Sequence, residues 1–233
     1  MLYPVFHYTN PGWEWDWELA YNFIQNHNPN LIFLCNPNNP TGNYFSKSQI
    51  VTLLEKIKSA SSILVLDEAY IDFVTDHQDL YDLVQKYKVI LLRSLTKSYG
   101  ITGLRLGYSL ANAEITSQIN QYIPPWSVNT LAQNAGIHLF SGNDHIQTGK
   151  EIIDKSKNYL INALTDLGYT VEPSNANFIL VKVSSAKKMR DSLILRNIIV
   201  RDCTSFGLPE HVRIGIRSIP DCKILIEAIH QVT

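Results

Sequence analysis

The sequence lacks an excess of charge of either sign, because 20 lysines and arginines are balanced by 21 aspartates and glutamates. A surface without a net field does not recruit a phosphate polymer or an acidic lipid surface. We therefore expect no nucleic-acid partner and no membrane partner for this chain.

A targeting segment and a long hydrophobic run are also lacking. The first basic residue is Lys47, which excludes the basic start of a secretory signal and an arginine-rich transit peptide. The longest wholly apolar run covers residues 31–35. That run is far shorter than the roughly 18 residues that a membrane-spanning helix needs. These absences predict a cytoplasmic protein.

Cysteine is scarce, and the number and spacing of the cysteines bear on disulfide bonds and on zinc binding. There are three cysteines, an odd number, and none of them has C-x-x-C spacing: Cys35, Cys203 and Cys222. This pattern suggests neither a disulfide framework nor a zinc site. The seven histidines show no paired spacing typical of metal ligands, so we predict no metal site.

What is present is an ordinary globular composition, 45% hydrophobic and 18% charged over 233 residues, long enough for one large domain or a large and a small one. Short apolar runs at residues 31–35, 62–66 and 89–92 are typical of strands buried on both faces. Residues 46–59 have helical spacing between the first two runs, which predicts a β-α-β crossover. A short helix is predicted at residues 80–87, before the third run. The first part of the chain is therefore predicted to be α/β.

The pattern changes after a long amphipathic helix predicted at residues 144–167. The following units are shorter: strands near residues 169–172, 177–181, 198–200 and 211–217, a helix near 186–196, and a closing helix from Pro220. Such units predict a small α+β domain. We expect a large domain at residues 1–145 and a small domain at residues 146–233.

The first 30 residues allow two interpretations. Trp13, Trp15 and Trp17 alternate with acidic residues, as in a strand. Asp16 can instead cap a helix whose apolar positions begin at Leu19 and continue at helical spacing. We prefer the helix.

Lys97 lies in a loop rich in glycine and hydroxyl groups, at residues 93–107, after the predicted strand at 89–92 and before an apolar segment at 104–111 that can form another strand. Open α/β sheets place ligands at strand ends. A lysine held away from bulk water and near other cations is more readily neutral, and the neutral amine reacts with an aldehyde. Ser94 and Arg105 add donors that suit a phosphate. The alternatives are an ordinary surface turn and a dinucleotide loop, whose G-x-G-x-x-G spacing these glycines do not match.

Two other predicted strand ends carry polar groups. Asn39 lies in the N-P-N-N-P-T-G run at residues 36–42, where side-chain amides can hydrogen-bond a ligand oxygen. Asp67 directly follows the strand at 62–66 and is a candidate buried acceptor for a cationic nitrogen, with Tyr70 as a phenol donor nearby. A plain loop and a helix cap are the alternatives. Polar groups at three consecutive strand ends together favour a ligand site.

Arg201 and Arg213 stand at or within predicted strands of the small domain. An arginine fork suits a carboxylate or a phosphate, although two surface arginines are the alternative. The two residues are twelve apart on either side of a turn. Adjacent strands would therefore direct both guanidinium groups toward one pocket.

Four motifs in order carry a resemblance: N-P-T-G at 39–42, L-D-E-A-Y at 66–70, S-L-T-K at 94–97 with G-L-R-L-G-Y at 103–108, and V-R-I-G-I-R at 212–217. Together they resemble the pyridoxal-phosphate enzymes of the aspartate-aminotransferase fold. Within that fold the chain is similar to the branch of histidinol-phosphate aminotransferase and threonine-phosphate decarboxylase. Residues 124–129 and 199–208 resemble the decarboxylase of cobalamin biosynthesis more closely.

The resemblance implies a role for each candidate at the three strand ends. Lys97 would be the Schiff-base lysine, and Asp67 would pair with the pyridine nitrogen of pyridoxal 5′-phosphate. A carboxylate at that nitrogen keeps it protonated, so that the ring can accept electrons. Asn39 and Tyr70 would bond the ring oxygen.

The resemblance also implies how the anionic groups are held. Ser94 and Arg105 would bind the cofactor phosphate. Arg213 would bind the substrate carboxylate, and Arg201 the phosphate of the substrate itself. The implied partner is a phosphorylated amino acid. Loss of CO2 and loss of a proton differ only in which bond to the substrate Cα stands perpendicular to the ring, and the motifs do not fix that angle.

The resemblance implies a three-layer large domain of the pyridoxal-phosphate transferase type, incomplete at its N-terminus, with a smaller C-terminal α+β domain. The expected activity is decarboxylation of a threonine-phosphate-like substrate. A histidinol-phosphate-like transaminase is the second reading, and a homodimer is expected for a complete chain. The family's chains begin well before Met1, with a glycine-bearing phosphate turn, an aromatic residue over the ring and a substrate segment. A truncated product, a domain that needs a second polypeptide, and a non-catalytic fragment acting as a binding or assembly partner are therefore further interpretations.

Overall fold

The computed structural model describes residues 16–58, 62–140 and 145–232, and these residues form two four-stranded sheets with helices packed against them. The alternating tryptophans Trp13 and Trp15 lie outside the described residues, as does residue 144, the predicted start of the long helix. The predicted domain boundary near residue 145 stays a prediction.

The first sheet has the order β1-β2-β3-β4. Its strands are β1 (Leu31–Cys35), β2 (Ile63–Asp67), β3 (Val89–Ser94) and β4 (Gly107–Leu110). β1, β2 and β3 are parallel, and β4 is antiparallel to β3. The three apolar runs of the sequence thus form the parallel strands, as predicted, and their carboxyl ends share one edge of the sheet.

Helices α1 (Trp17–His27) and α2 (Lys47–Ile57) begin at side-chain caps that the sequence contains. The Asp16 carboxylate accepts a hydrogen bond from the Leu19 amide at 2.9 Å. Ser46 and Gln49 form a reciprocal capping box. Such caps satisfy amides that have no partner within the helix. The helical interpretation of the residues after Asp16 is therefore confirmed.

The two faces of the first sheet are covered unequally. On one face, leucines of β1, β2 and β3 are buried against α1 and α2 in one large core: Leu34, Leu64, Leu66 and Leu91. On the other face, Val65 and Ile90 pack against Ile115 of α4 (Ala113–Asn120) in a much smaller core. Leu31 and Phe33 of β1 are 49% and 69% exposed. The next helix along the chain, α5 (Thr130–Leu139), has two exposed apolar side chains, Leu131 and Ile137.

Short helical turns connect the strands. The segment after β3 is a single turn, α3 (Leu95–Ser98), and not the open loop that the glycine-rich sequence predicts. The short helix expected near residues 80–87 is a 3-10 turn at Tyr81–Leu83. Further 3-10 turns lie at Ile71–Phe73, Thr102–Leu104 and Thr204–Phe206.

The second sheet is wholly antiparallel in the order β5-β6-β8-β7. Its strands are β5 (Val171–Glu172), β6 (Phe178–Lys182), β7 (Arg201–Asp202) and β8 (His211–Gly215). Its helices are α6 (His145–Asp166), α7 (Ala186–Ile194) and α8 (Ile219–His230). Leu160, Leu164, Ile179 and Leu193 are fully buried in the shared core. The α+β character predicted for this part of the chain is present.

Two predicted strands are displaced. The strand expected at residues 198–200 is wrong, because Asn197 turns at φ +60°, Ile199 is 85% exposed, and pairing starts only at Arg201. The strand expected from Leu104 starts at Gly107, because Arg105 lies in the left-handed region at φ +56°. Left-handed backbone interrupts an extended strand.

Within the described ranges, no helix is both long enough and apolar enough to cross a membrane.

Candidate active site

The carboxyl ends of the parallel strands bring the predicted polar residues to one edge. Asp67 ends β2, with Cys35 opposite it on β1 and Leu92 opposite it on β3. The Asp67 carboxylate accepts a hydrogen bond from the Ala69 amide at 3.0 Å, which fixes the turn after the strand. Asp67 is half-buried, so its second oxygen is available to a ligand at this edge.

Lys97 lies on α3, directly after β3. Its Nζ is 5.3 Å from the centre of the Tyr70 ring, so two candidates from different strand ends meet here. Lys97 is exposed, which contradicts the expectation that it is held away from bulk water. The reason is its place on a surface turn, while its neighbours Leu95 and Thr96 point inward and are buried.

Ser94 and Arg105 are placed differently with respect to Lys97. Ser94 Oγ is 2.8 Å from Thr96 Oγ1, at the start of the lysine turn. The Arg105 guanidinium is exposed and donates to the Thr102 carbonyl oxygen of its own loop at 3.1 Å. The hydroxyl group therefore lies beside the lysine turn, whereas the guanidinium is directed back onto its own loop.

Arg213 connects the second sheet to this edge of the first. Its Nη1 donates a short hydrogen bond to Asn39 Oδ1, across 174 residues of sequence. The Arg213 guanidinium also stacks over Phe178 at 4.8 Å, and Phe178 meets the Tyr70 ring edge-to-face at 5.1 Å. Burial raises the pKa of the Tyr70 phenol, and the positive charge of Arg213 opposes that shift. Asn39, Tyr70 and Arg213 thus form one contiguous group.

Arg201 and Arg213 are direct cross-strand partners on β7 and β8, so their side chains leave the same face of the sheet. Both line a cavity of about 790 Å³. Arg201 Nη2 donates to Ser205 Oγ at 3.0 Å, and its guanidinium lies 5.5 Å from the Phe206 ring. The prediction that adjacent strands bring the two guanidinium groups toward one pocket agrees with this register.

The partners of Arg201 and Arg213 are neutral. Arg201 bonds a hydroxyl and Arg213 bonds an amide oxygen, whereas Arg190, in the same cavity, is paired with Asp191 and Asp202 at 2.7 and 3.1 Å. Within the described residues, no carboxylate lies within 4 Å of the Arg201 or Arg213 guanidinium. Asp202 also lines the cavity, and its pKa is lowered by hydrogen bonds from Thr204 and by the charges of Arg190 and Arg201. Because neither Arg201 nor Arg213 is hydrogen-bonded to a carboxylate of the described part of the chain, both guanidinium groups can bind anions.

Sequence reasoning missed three contributors. Phe178 supports both Tyr70 and Arg213, but its sequence signal is that of an ordinary core residue of a strand. Arg190 lines the anion cavity from a helix. Glu68 and Arg93 form a buried ion pair at 2.7 Å behind the site. The sequence shows two adjacent acidic residues, Asp67 and Glu68, at the end of β2, but nothing in it identifies Arg93 as the partner of Glu68.

Cys35 lies inside the site. Its Sγ–H donates to the Pro37 carbonyl oxygen at 3.2 Å. Burial and the charge of Asp67 raise the pKa of the Cys35 thiol to about 11, although the Asn39 amide and Lys97 oppose the shift. Only the thiolate is an effective nucleophile. Cys35 is therefore an unreactive thiol at neutral pH.

We expect Cys35 in the folded protein to react with iodoacetamide at pH 8 about a hundredfold more slowly than in the urea-unfolded chain. A pKa near 11 leaves about a hundredfold less thiolate at this pH than the ordinary value near 9 does. Peptide mass spectrometry over time gives both rates, with the buried Cys203 and Cys222 as internal references. Equal rates at Cys35 in the folded and unfolded protein would contradict this environment.

The sequence model of the family described as "Aminotransferase class I and II" matches residues 2–229. Among curated relatives, the histidinol-phosphate aminotransferase of Symbiobacterium thermophilum is 36% identical over 201 residues, which cover 85% of this chain and 55% of that protein. The chain thus spans about half the length of that relative.

Two solved structures share the fold. The L-threonine-O-3-phosphate decarboxylase of Porphyromonas gingivalis aligns with a TM-score of 0.80 and 27% identity, over 87% of this chain and 64% of that one. The histidinol-phosphate aminotransferase of Sinorhizobium meliloti, solved in complex with pyridoxal 5′-phosphate, aligns with a TM-score of 0.84 and 25% identity, over 94% of this chain and 62% of that one. These likenesses confirm the predicted fold. Since the family model matches nearly the whole chain, the protein belongs to the pyridoxal-phosphate-dependent aminotransferase class I and II family.

Proposed function

We propose that this protein is a pyridoxal-phosphate enzyme that acts on a phosphorylated amino acid. Its proposed reaction is the decarboxylation of a threonine-phosphate-like substrate. The observation that carries the proposal is the contact of Arg213 with Asn39, which joins the paired arginines to the edge that holds Asp67, Tyr70 and Lys97. An anion site and a reactive-lysine site are thereby contiguous.

The side chains at the edge fit the cofactor by their chemistry. An amine, a carboxylate, a phenol and an amide lie at the ends of three neighbouring parallel strands, on Lys97, Asp67, Tyr70 and Asn39. Pyridoxal phosphate offers an aldehyde to the amine, a ring nitrogen to the carboxylate and a ring oxygen to the phenol and the amide. When bound, the cofactor supplies an electron sink for the bond that breaks at the substrate Cα.

The residues of this chain bind, orient and hold protons. Lys97 would supply the amine that attaches the aldehyde carbon, and its Nζ lies 5.3 Å from the centre of the Tyr70 ring. Asp67 holds a proton at the ring nitrogen by its negative charge. Ser94 and Arg105 would hold the cofactor phosphate, although the Arg105 guanidinium here donates to the Thr102 carbonyl oxygen. Arg213 orients Asn39 and the substrate carboxylate together.

The paired arginines favour a substrate with two anionic groups. Arg213 lies beside Asn39 and is assigned to the carboxylate, and Arg201 lies farther out beside Ser205 and is assigned to the phosphate. O-phosphothreonine carries both groups in one molecule. Histidinol phosphate carries only the phosphate, so a transaminase would use the carboxylate site for its keto acid. One substrate that fills both sites is the simpler fit to the paired arginines and supports the decarboxylase.

Transamination of a histidinol-phosphate-like substrate is the second candidate. It is favoured by the curated relative from Symbiobacterium thermophilum, which carries the name histidinol-phosphate aminotransferase at 36% identity. Both candidates use the same cofactor contacts, and they differ in the bond at the substrate Cα that breaks and in the need for a keto acid.

Product analysis separates the two candidates. The protein supplied with pyridoxal phosphate and O-phospho-L-threonine is expected to release CO2 without a keto-acid acceptor. Stoichiometric transfer of the amino group from histidinol phosphate to a keto acid, with no CO2 from O-phosphothreonine, would replace the first candidate by the second.

Arg201→Ala is expected to weaken the binding of O-phospho-L-threonine by roughly ten- to a hundredfold, because one charge-assisted contact is worth about 1.5–3 kcal/mol. Binding of unphosphorylated threonine should change little. Isothermal titration gives both affinities, and Arg217→Ala, an exposed arginine paired with Asp221 at 3.3 Å, is the matched control. Equal losses of affinity for the two ligands would contradict the assignment of the substrate phosphate to Arg201.

Three further features belong to the same proposal. Residues 1–145 belong to a large cofactor-binding domain, and residues 146–233 form a small C-terminal domain. The complete enzyme is a cytoplasmic homodimer. Its place in cobalamin biosynthesis follows only if the decarboxylase candidate holds.

A further inference from the structure

A buried ion pair lies directly behind the candidate cofactor residues. Arg93 Nε is 2.7 Å from Glu68 Oε2, and the two side chains are only 7% and 1% exposed. Burial raises the pKa of the Glu68 carboxyl, which the Arg93 charge opposes. A buried ion pair is commonly no more stabilising than well-packed apolar side chains of the same volume. Stability alone is therefore a weak reason for its presence.

The pair extends into a network that reaches the lysine turn. Arg93 Nη1 lies 3.8 Å from Asp72 Oδ1. Asp72 Oδ2 in turn accepts a short hydrogen bond from Ser98 Oγ. Four side chains, from the residue after β2, the 3-10 turn at Ile71–Phe73, β3 and α3, are thus connected in one chain of polar contacts, which we call the rear network: Glu68, Asp72, Arg93 and Ser98.

Each end of the rear network adjoins a candidate site residue in sequence. Glu68 follows Asp67, and its amide donates to the Leu92 carbonyl oxygen at 2.9 Å. Successive strand residues point to opposite faces, so Arg93 of β3 lies behind the sheet from Ser94, and Glu68 lies there with it as its ion-pair partner.

Two of the other three members have the same relation to the site, and the third, Asp72, connects them. Arg93 precedes Ser94 on β3, and Ser98 follows Lys97 on α3. Three members of the rear network are therefore direct sequence neighbours of Asp67, Ser94 and Lys97. These are the residues assigned to the ring nitrogen, the phosphate and the aldehyde of the cofactor.

We propose that Glu68, Arg93, Asp72 and Ser98 are positioning residues that fix the spacing of Asp67, Ser94 and Lys97. The assignment rests on the proposed function, because the spacing matters for catalysis only if these three residues contact one cofactor. The physical reason is that a cofactor held at three points needs those points preorganised, and loops alone hold them less well than side chains locked by buried contacts.

Amide hydrogen exchange in the cofactor-free protein tests the network without any activity. The Tyr99 amide donates to the Leu95 carbonyl oxygen at 3.2 Å and reports on α3, while the Glu68 amide reports on the end of β2. Ser98→Ala removes one hydrogen bond and leaves the buried pair intact. It should speed exchange at Tyr99 about five- to tenfold. Glu68→Gln should speed exchange at both amides.

Two comparisons keep the test specific. Exchange in β6 of the second sheet should stay unchanged in both variants, and Ser156→Ala, which removes a buried hydroxyl without a hydrogen bond, should leave Tyr99 unchanged. Unchanged exchange at Tyr99 in Ser98→Ala, or an equal rise of exchange in β6, would overturn the proposed positioning role of the rear network. The Ser98→Ala result decides this even if Glu68→Gln fails to fold.

Covalent trapping supplies a second readout. Borohydride trapping of pyridoxal phosphate at Lys97 should be about fivefold slower in Ser98→Ala than in the parent, with trapping at the exposed Lys155 unchanged. An unchanged rate at Lys97 would overturn the positioning role. No trapping at Lys97 in the parent would instead overturn the proposed function, and hydrogen exchange would still decide the rear network.

Discussion

Lys97→Ala is expected to abolish covalent attachment of pyridoxal phosphate while leaving the fold intact. Lys97 is the amine at the edge where Asp67 and Tyr70 converge, so its loss removes the group that reacts with the aldehyde. The side chain is exposed on α3, and its contact is a distant one with the Tyr70 ring. Alanine suits a helical turn, so the free energy of unfolding should change by no more than about 1 kcal/mol.

Visible absorbance after incubation with the cofactor, and a urea denaturation curve, check the two halves of this prediction. Lys155→Ala, at an exposed lysine of α6, is the matched control and should keep the absorbance of the parent. Parental absorbance in Lys97→Ala would place the reactive amine elsewhere.

Gly42→Ala should destabilise the protein by about 2–5 kcal/mol. Gly42 has φ +78°, which costs a residue with a side chain roughly 1–2 kcal/mol. A Cβ there would lie 2.0 Å from Ser174 Oγ and 3.0 Å from Ser174 Cα, and such overpacking costs a further 1–3 kcal/mol or so. The Asn175 amide donates to the Gly42 carbonyl oxygen at 2.9 Å, so this close approach joins the loop after β1 to the segment before β6.

Gly100→Ala is the matched control for the Gly42 variant. Gly100 has φ +65°, but nothing lies within 4 Å of its added Cβ. This variant should therefore show only the conformational cost of roughly 1–2 kcal/mol. Urea denaturation of both variants gives the difference. Equal destabilisation would mean that the loop does not pack against Ser174.

The secondary structure was largely predictable because its signals are local. Apolar runs predicted the three parallel strands, and Asp16 supplied a cap that decided between helix and strand for the residues after it. The errors also have local causes. Ile199 looked like a strand residue, but it is exposed beside the left-handed turn at Asn197, and hydrophobic content alone does not reveal a turn.

The antiparallel direction of β4 had no local signal, because strand direction depends on which neighbour the strand pairs with. The same holds for the site contacts. Arg213 and Asn39 are 174 residues apart, and Glu68 and Arg93 are 25 apart. Motifs placed Asn39, Asp67 and Lys97 at strand ends, and parallel pairing then brought them to one edge. Side-chain partners across the fold needed the structure.

The central claim is that this chain offers one particular lysine to pyridoxal phosphate. Incubation of the protein with the cofactor, reduction with borohydride and peptide mapping by mass spectrometry test it most directly. We expect visible absorbance before reduction and one dominant modified peptide, carrying Lys97. Labelling spread over exposed lysines such as Lys155 and Lys223, or no visible absorbance at saturating cofactor, would contradict the claim and leave a non-catalytic binding or assembly partner as the function.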